Sequence, residues 1–221
     1  MEGDHPLSAR IVAEVVLWGG KSQARVLRSV LSTLGARVTA IFDDTPGLAS
    51  PYPDVPLHPG SAFDEWARTH PVKGVGFAVA VGNPHGRARL RIHQRLAAAG
   101  LTPVTVVDPR AAIDATARLG LGCQVYAGAV ISAEAELGVE CIVNSGALVE
   151  HQARLGDGVE VAPAAAVLGL ARLGDCVTVG VRATVLARVA VGSDSIIGAG
   201  RMIGDDLPAG SGAYGDHKRI F

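Results

Sequence analysis

The sequence predicts an α/β domain of strand–helix units followed by an all-β domain wound as a parallel β-helix. Three observations carry this. Residues 11–107 alternate apolar strand-like runs with amphipathic helical runs. From residue 113 to 203, every sixth residue is Ile, Leu or Val without exception. A slower period overlies the second half, with Gly120, Gly138, Gly156, Gly174 and Gly192 spaced 18 apart. Strands alternating with helices favour parallel βαβ units. An unbroken six-residue period gives a short strand plus a turn, and three such units close one triangular coil whose aliphatic residues point inward. The 18-residue glycine marks one corner per coil that needs either a positive φ or close backbone approach. About five coils are expected, in a domain spanning 108–221 behind a βαβ domain spanning 1–107.

Within the first domain, IVAEVVLW (11–18) reads as a buried strand broken by Gly19-Gly20. SQARVLRSVLSTLG (22–35) follows as a helix with Val26, Leu27, Val30, Leu31 and Leu34 on one face and Gly35 as its stop. RVTAIF (37–42) is the next strand, ended by Asp43-Asp44. The five prolines of TPGLASPYPDVPLHPG (45–60) mark an irregular excursion. GFAVAVGN (76–83) returns as a strand and GRARLRIHQRLAAAG (86–100) as a helix, with Arg87 and Arg89 read as solvated charges. TPVTVV (102–107) closes the domain as a last strand.

Composition narrows the function. A net charge of −1 gives no basic field for nucleic acid or anionic membrane, and aromatics at 4% leave few rings for base stacking. No apolar stretch reaches membrane-spanning length and the N-terminus does not read as a signal peptide, so a cytoplasmic protein is expected. Cys123, Cys141 and Cys176 form no CxxC pair. Cys123 and Cys141, 18 apart, read as small packing residues stacked in adjacent coils. A three-histidine zinc site is excluded from the repeat domain, since 108–221 holds only His151 and His217, and no metal is expected.

IVNSGALVEHQARLGDGVEVAPAAAVLG (142–169), with the strand–helix domain before it, resembles the NeuD/PglD-type sugar acetyltransferases over essentially the full length. The resemblance implies a Rossmann-like βαβ domain followed by a left-handed parallel β-helix, assembled as a homotrimer. It implies acetyl-CoA as cosubstrate and a nucleotide-linked amino sugar as acceptor, the 4-amine of a 4-amino-4,6-dideoxyhexose for surface polysaccharide. O-acetylation of a sugar, or a catalytically weak sugar-nucleotide-binding homologue, remain alternatives. The histidine after Val-Glu maps to His151 as the base, which suits an imidazole at neutral pH. Gly169 maps to the amide contacting the acetyl carbonyl, while Gly200 and Lys218 map to the coenzyme arm and its phosphates. In the first domain the resemblance assigns the nucleotide sugar to Gly19, Gly20, Gln23 and Arg25 of the glycine-rich loop, to Asp43 and Asp44, and to Asn83 beside the sugar. Three departures stand out. Gln23 replaces the loop's histidine, Gln152 replaces an acidic neighbour of the base, and Glu160 stands where some members carry a second histidine.

Overall fold

The computed structural model describes residues 12–213 and has the two parts expected. Strands β1 (Glu14–Trp18), β2 (Arg37–Asp43), β3 (Leu57–Pro59), β4 (Gly76–Val79) and β5 (Thr102–Pro103) form one parallel sheet in the order β3-β2-β1-β4-β5. Helices α1 (Ser22–Thr33), α2 (Phe63–Thr69) and α3 (Gly86–Ala98) connect them. The strand order reverses between β1 and β4, which opens a crevice beyond their carboxyl ends, the usual ligand position in a doubly wound sheet.

Four local expectations need correction. The proline-rich excursion contains β3, because an edge strand tolerates Pro59, which has no amide to donate. Val26 is 44% exposed, and Ala24 takes its place against the sheet with Leu27, Val30 and Leu31. The single strand expected over 102–107 is two, because Thr102–Pro103 pairs with β4 while Val106–Val107 pairs with Gln124–Val125 as the first rung of the β-helix. Arg89, read as solvated, is fully buried.

The second part is a left-handed parallel β-helix of two-residue strands on three faces. Face one runs from Val106–Val107 to Gly212–Ala213 in seven strands. Face two runs from Ala112–Ile113 to Met202–Ile203 in six, and face three from Arg118–Leu119 to Ala190–Val191 in five. All sixteen periodic aliphatic residues are the second residue of a strand and pack into one central cluster. A second inward column, missed in the sequence, lies two residues before each, from Ala117 to Val189, and is filled by Ala, Val and the two cysteines. Cys123 and Cys141 are fully buried there, each thiol donating to a glycine carbonyl, and the neighbouring Cys141 thiol, with burial second, raises the Cys123 thiol well above its ordinary range.

The two glycine roles separate cleanly. Positive φ falls on a different column, every sixth residue from Gly122 to Gly200, and nine of its members are not glycine. The 18-residue glycines answer to close approach. A Cβ on Gly138 would sit 2.7 Å from the Asp157 amide of the next coil, and the same holds for Gly156 against Asp175. Asp157 in turn accepts the Val139 amide at 2.8 Å, and Asp175 accepts the Asp157 amide at 2.9 Å. Gly138→Ala is therefore expected to force adjacent coils apart and cost about 1–3 kcal/mol, read as a lowered melting temperature.

The strand–helix domain covers face one. Gln124, Ile142, Glu160 and Thr178, the outward residues of that face, are all buried. Face three is exposed and charged, with Arg118, Glu136, Arg154 and Arg172 in register. Face two is apolar and uncovered, with Val130 39% and Met202 68% exposed and Leu148 and Ala166 between them.

Candidate active site

A cleft of about 610 Å³ lies where the carboxyl ends of β1, β2 and β4 meet the β-helix. Its walls include Trp18 and Gly19 at the end of β1, Lys21 to Gln23 opening α1, Asp43 to Thr45 at the end of β2, Ala80 to Asn83 after β4, and Asn144 and Glu160 from the β-helix. Local sequence explains the loop. Gly19 has φ of 109°, and its amide donates to Phe42 O at 2.7 Å. The Gly20 amide donates to Asp43 Oδ2 at 2.6 Å, and Asp43 Oδ1 takes the Thr45 amide at 2.7 Å. Burial raises the Asp43 carboxyl, but these amide bonds outweigh it and hold the group below its ordinary value. Lys21 caps α1 without a side-chain bond, so the first amides of the helix and the Lys21 ammonium are left to meet an anion.

The residues assigned to the nucleotide sugar do not all reach the cleft. Gly19, Gln23, Asp43, Asp44 and Asn83 line it. Gly20 lies behind, bonded to Asp43. Gln23 donates to Tyr126 Oη at 2.7 Å and Gln124 Oε1 at 3.0 Å, which ties α1 to the β-helix. Arg25 points away, with its guanidinium 5.9 Å from the Tyr52 ring and near Pro51 O. Lys21, and not Arg25, is therefore the cation of this loop that lines the cleft.

Arg89 was missed as a site residue because a charged residue on a basic helix reads as solvated. It reaches from α3 beneath the cleft floor. Its Nη2 donates to Gly158 O at 2.6 Å, Nε to Glu140 O at 3.2 Å, and Nη1 to Val81 O at 3.2 Å. Nη1 also approaches Glu160 Oε2 at 3.5 Å. Glu140 Oε1 lies 2.8 Å from His93 Nδ1, while its Oε2 is buried without a partner among the described residues. Burial raises both carboxyls, and the facing His93 and Arg89 pull them partly back.

His151 lies elsewhere. It sits exposed at the corner between faces two and three, whereas Asn144 sits at the corner between faces one and two. Its ring lies against Gly169 of the next coil, where a Cβ would stand 2.5 Å from Nε2. The Gly169 amide has no hydrogen-bond partner among the described residues. Gln152, beside His151, turns along the corner to Glu134 Oε2 at 2.8 Å. Glu150 accepts only the His151 backbone amide at 3.3 Å, so no carboxylate of the described residues orients the imidazole. Gly200 sits at the Asn144 corner, and Lys218 lies outside the described residues. Gly169→Ala is expected to push the imidazole off its seat and lower turnover at least about tenfold without unfolding the chain, checked by steady-state kinetics alongside a melting curve.

No protein-family model and no curated protein matches the chain. Solved structures do. PerB from Caulobacter crescentus, described in complex with CoA and GDP-perosamine, is 32% identical, with 93% of this chain and 95% of that chain covered and a TM-score of 0.82. The acetyltransferase domain of PglB from Neisseria gonorrhoeae, in complex with acetyl coenzyme A, is 25% identical over 92% and 97%, with a TM-score of 0.81. WeeI from Acinetobacter baumannii, at 18% identity and a TM-score of 0.77, shares the fold. A six-residue-repeat β-helix with a crevice-bearing strand–helix domain on one face, matched end to end by these structures, defines an acetyl-CoA-dependent acyltransferase. The chain belongs to the NeuD/PglD-type sugar acetyltransferase family. Among the described residues no group of His, Cys, Asp or Glu is placed to hold a metal ion, and no helix is long and apolar enough to cross a membrane.

Proposed function

We propose that the enzyme transfers acetyl from acetyl-CoA to the amine of a nucleotide-linked 4-amino-4,6-dideoxy sugar, for surface polysaccharide, and that it works as a homotrimer. The amine nitrogen attacks the thioester carbonyl, His151 takes the amine proton, and the coenzyme leaves as the thiolate. The Gly169 amide, without a partner among the described residues, stabilises the developing oxyanion. In the cleft, the Lys21 ammonium and the first amides of α1 receive the diphosphate. Gly19, Asp43 and Asp44 flank the base, with Gly20 and Gln23 shaping the loop. Asn83 meets the sugar, and Gly200 and Lys218 attend the coenzyme. GDP is the first nucleotide to test, since PerB is described with GDP-perosamine.

The observation that carries the trimer is the separation of His151 from the cleft. Within one chain they occupy the two edges of face two, and that face is apolar and uncovered. Three copies with face two toward a common axis bury it, and place the His151 corner of one against the Asn144 corner of the next. The site is complete only between subunits. Coenzyme thiol release is measured with GDP-, UDP- and dTDP-linked 4-amino-4,6-dideoxy sugars. Release with one of them supports the reading, and none with any overturns it. Mixed His151→Ala and Asn144→Ala subunits, assayed at subsaturating sugar, should be more active than either variant alone.

A further inference from the structure

We infer that Glu160 is a positioning residue that turns two asparagine carbonyls toward the acceptor sugar, so that the cleft selects the amino sugar by its N–H and O–H donors. The inference rests on the acceptor reading above. Glu160 is the outward residue of a face-one strand, is only 4% exposed, and still lines the cleft. It is held from two sides. Asn83, from the loop after β4, donates its Nδ2 to Glu160 Oε1 at 3.1 Å, and Asn144, from the corner of the preceding coil, donates its Nδ2 to the same oxygen at 3.2 Å. Glu160 Oε2 faces the buried Arg89 guanidinium.

The chemistry of the carboxylate decides the rest. A carboxylate only accepts, so both asparagines must turn their NH₂ groups to it. Their carbonyl oxygens are then left over, and neither has a partner among the described residues. Two free acceptors beside a carboxylate make this end of the cleft a poor place for phosphate oxygens and a good one for groups that donate. The Lys21 ammonium and the open α1 amides, on another wall of the same cleft, have the opposite character. A nucleotide sugar therefore has one favoured direction, with phosphates at α1 and the donor-bearing sugar at Asn83 and Asn144. Without Glu160, each amide is free to present NH₂ instead, and the two ends of the cleft lose their contrast.

Arg89 keeps Glu160 in this role. It bonds the carbonyls of Val81, Glu140 and Gly158, so the loop carrying Asn83 and the coil carrying Glu160 are fixed to one guanidinium. That explains a buried acid at this position without asking it to touch the reacting thioester.

The test is calorimetric binding of GDP-perosamine and of GDP to wild type, Glu160→Ala, Glu160→Gln and Asn144→Ala, with melting curves for each. Wild type should bind GDP-perosamine more tightly than GDP. Glu160→Ala should weaken GDP-perosamine about tenfold and leave GDP unchanged, the loss expected when one or two neutral hydrogen bonds go. Glu160→Gln keeps an acceptor oxygen for the asparagines and should stay within about threefold of wild type. Asn144→Ala leaves the Arg89–Glu160 pair intact, so it carries the test should Glu160→Ala not fold, and it should show the same selective loss. Equal weakening of GDP and GDP-perosamine, or no weakening of either, would reduce Glu160 to a packing residue and sink the inference. Wild type that binds none of the GDP-, UDP- and dTDP-linked 4-amino-4,6-dideoxy sugars overturns the acceptor reading itself, and this inference with it.

Discussion

His151→Ala is expected to lower acetyl transfer by about 10²–10⁴-fold while leaving the affinities for acetyl-CoA and nucleotide sugar close to wild type. The reason is local. His151 is exposed on a corner, lies against Gly169, and is not part of the β-helix core, so its loss removes a base and little structure. The effect should appear in kcat far more than in either KM, because the imidazole meets the amine proton as the bond to carbon forms. A variant that loses binding of both substrates would place His151 in the scaffold, and a variant with full turnover would remove it from the mechanism. His151→Asn offers a polar group of similar reach with no basicity, so it should be as slow as alanine.

Arg89→Ala is expected to cost about 3–5 kcal/mol, which for a chain of this length is a drop in melting temperature of roughly 10 °C. Arg89 is fully buried between α3 and the β-helix, and two buried carboxylates, Glu140 and Glu160, lie around it. Removing the cation leaves the Gly158, Glu140 and Val81 carbonyls short of donors and Glu160 short of its counter-charge. Lysine should not rescue it, because one ammonium cannot reach carbonyls in three directions as a planar guanidinium does. Arg87, two residues away, is the control. It pairs with Asp194 at the surface, so Arg87→Ala should leave the melting temperature close to wild type. Equal effects at the two positions would contradict the buried clamp.

The β-helix was legible because its cause is periodic. Each coil repeats the same backbone, so each must repeat an inward aliphatic residue, and sixteen in phase leave no other fold. The glycines at 18-residue spacing showed the coil length for the same reason, although their function, room for the backbone of the next coil, is a contact between coils. His151 was legible from a motif. Arg89 was not, because no pattern along α3 distinguishes a guanidinium facing water from one facing a second domain, and only the packing of α3 on the β-helix decides it. The same limit hid the work of Gln23 and Glu160. One sits in a glycine-rich loop yet bonds Tyr126 and Gln124, and the other sits in a strand yet orients two asparagines from different elements. The sequence by itself determined the coils, the strand–helix domain and the candidate base, since each follows from neighbours along the chain. Only the tertiary structure decided which polar residues face the cleft and which lock the two domains together, because burial and hydrogen-bond partners arise between segments far apart in sequence.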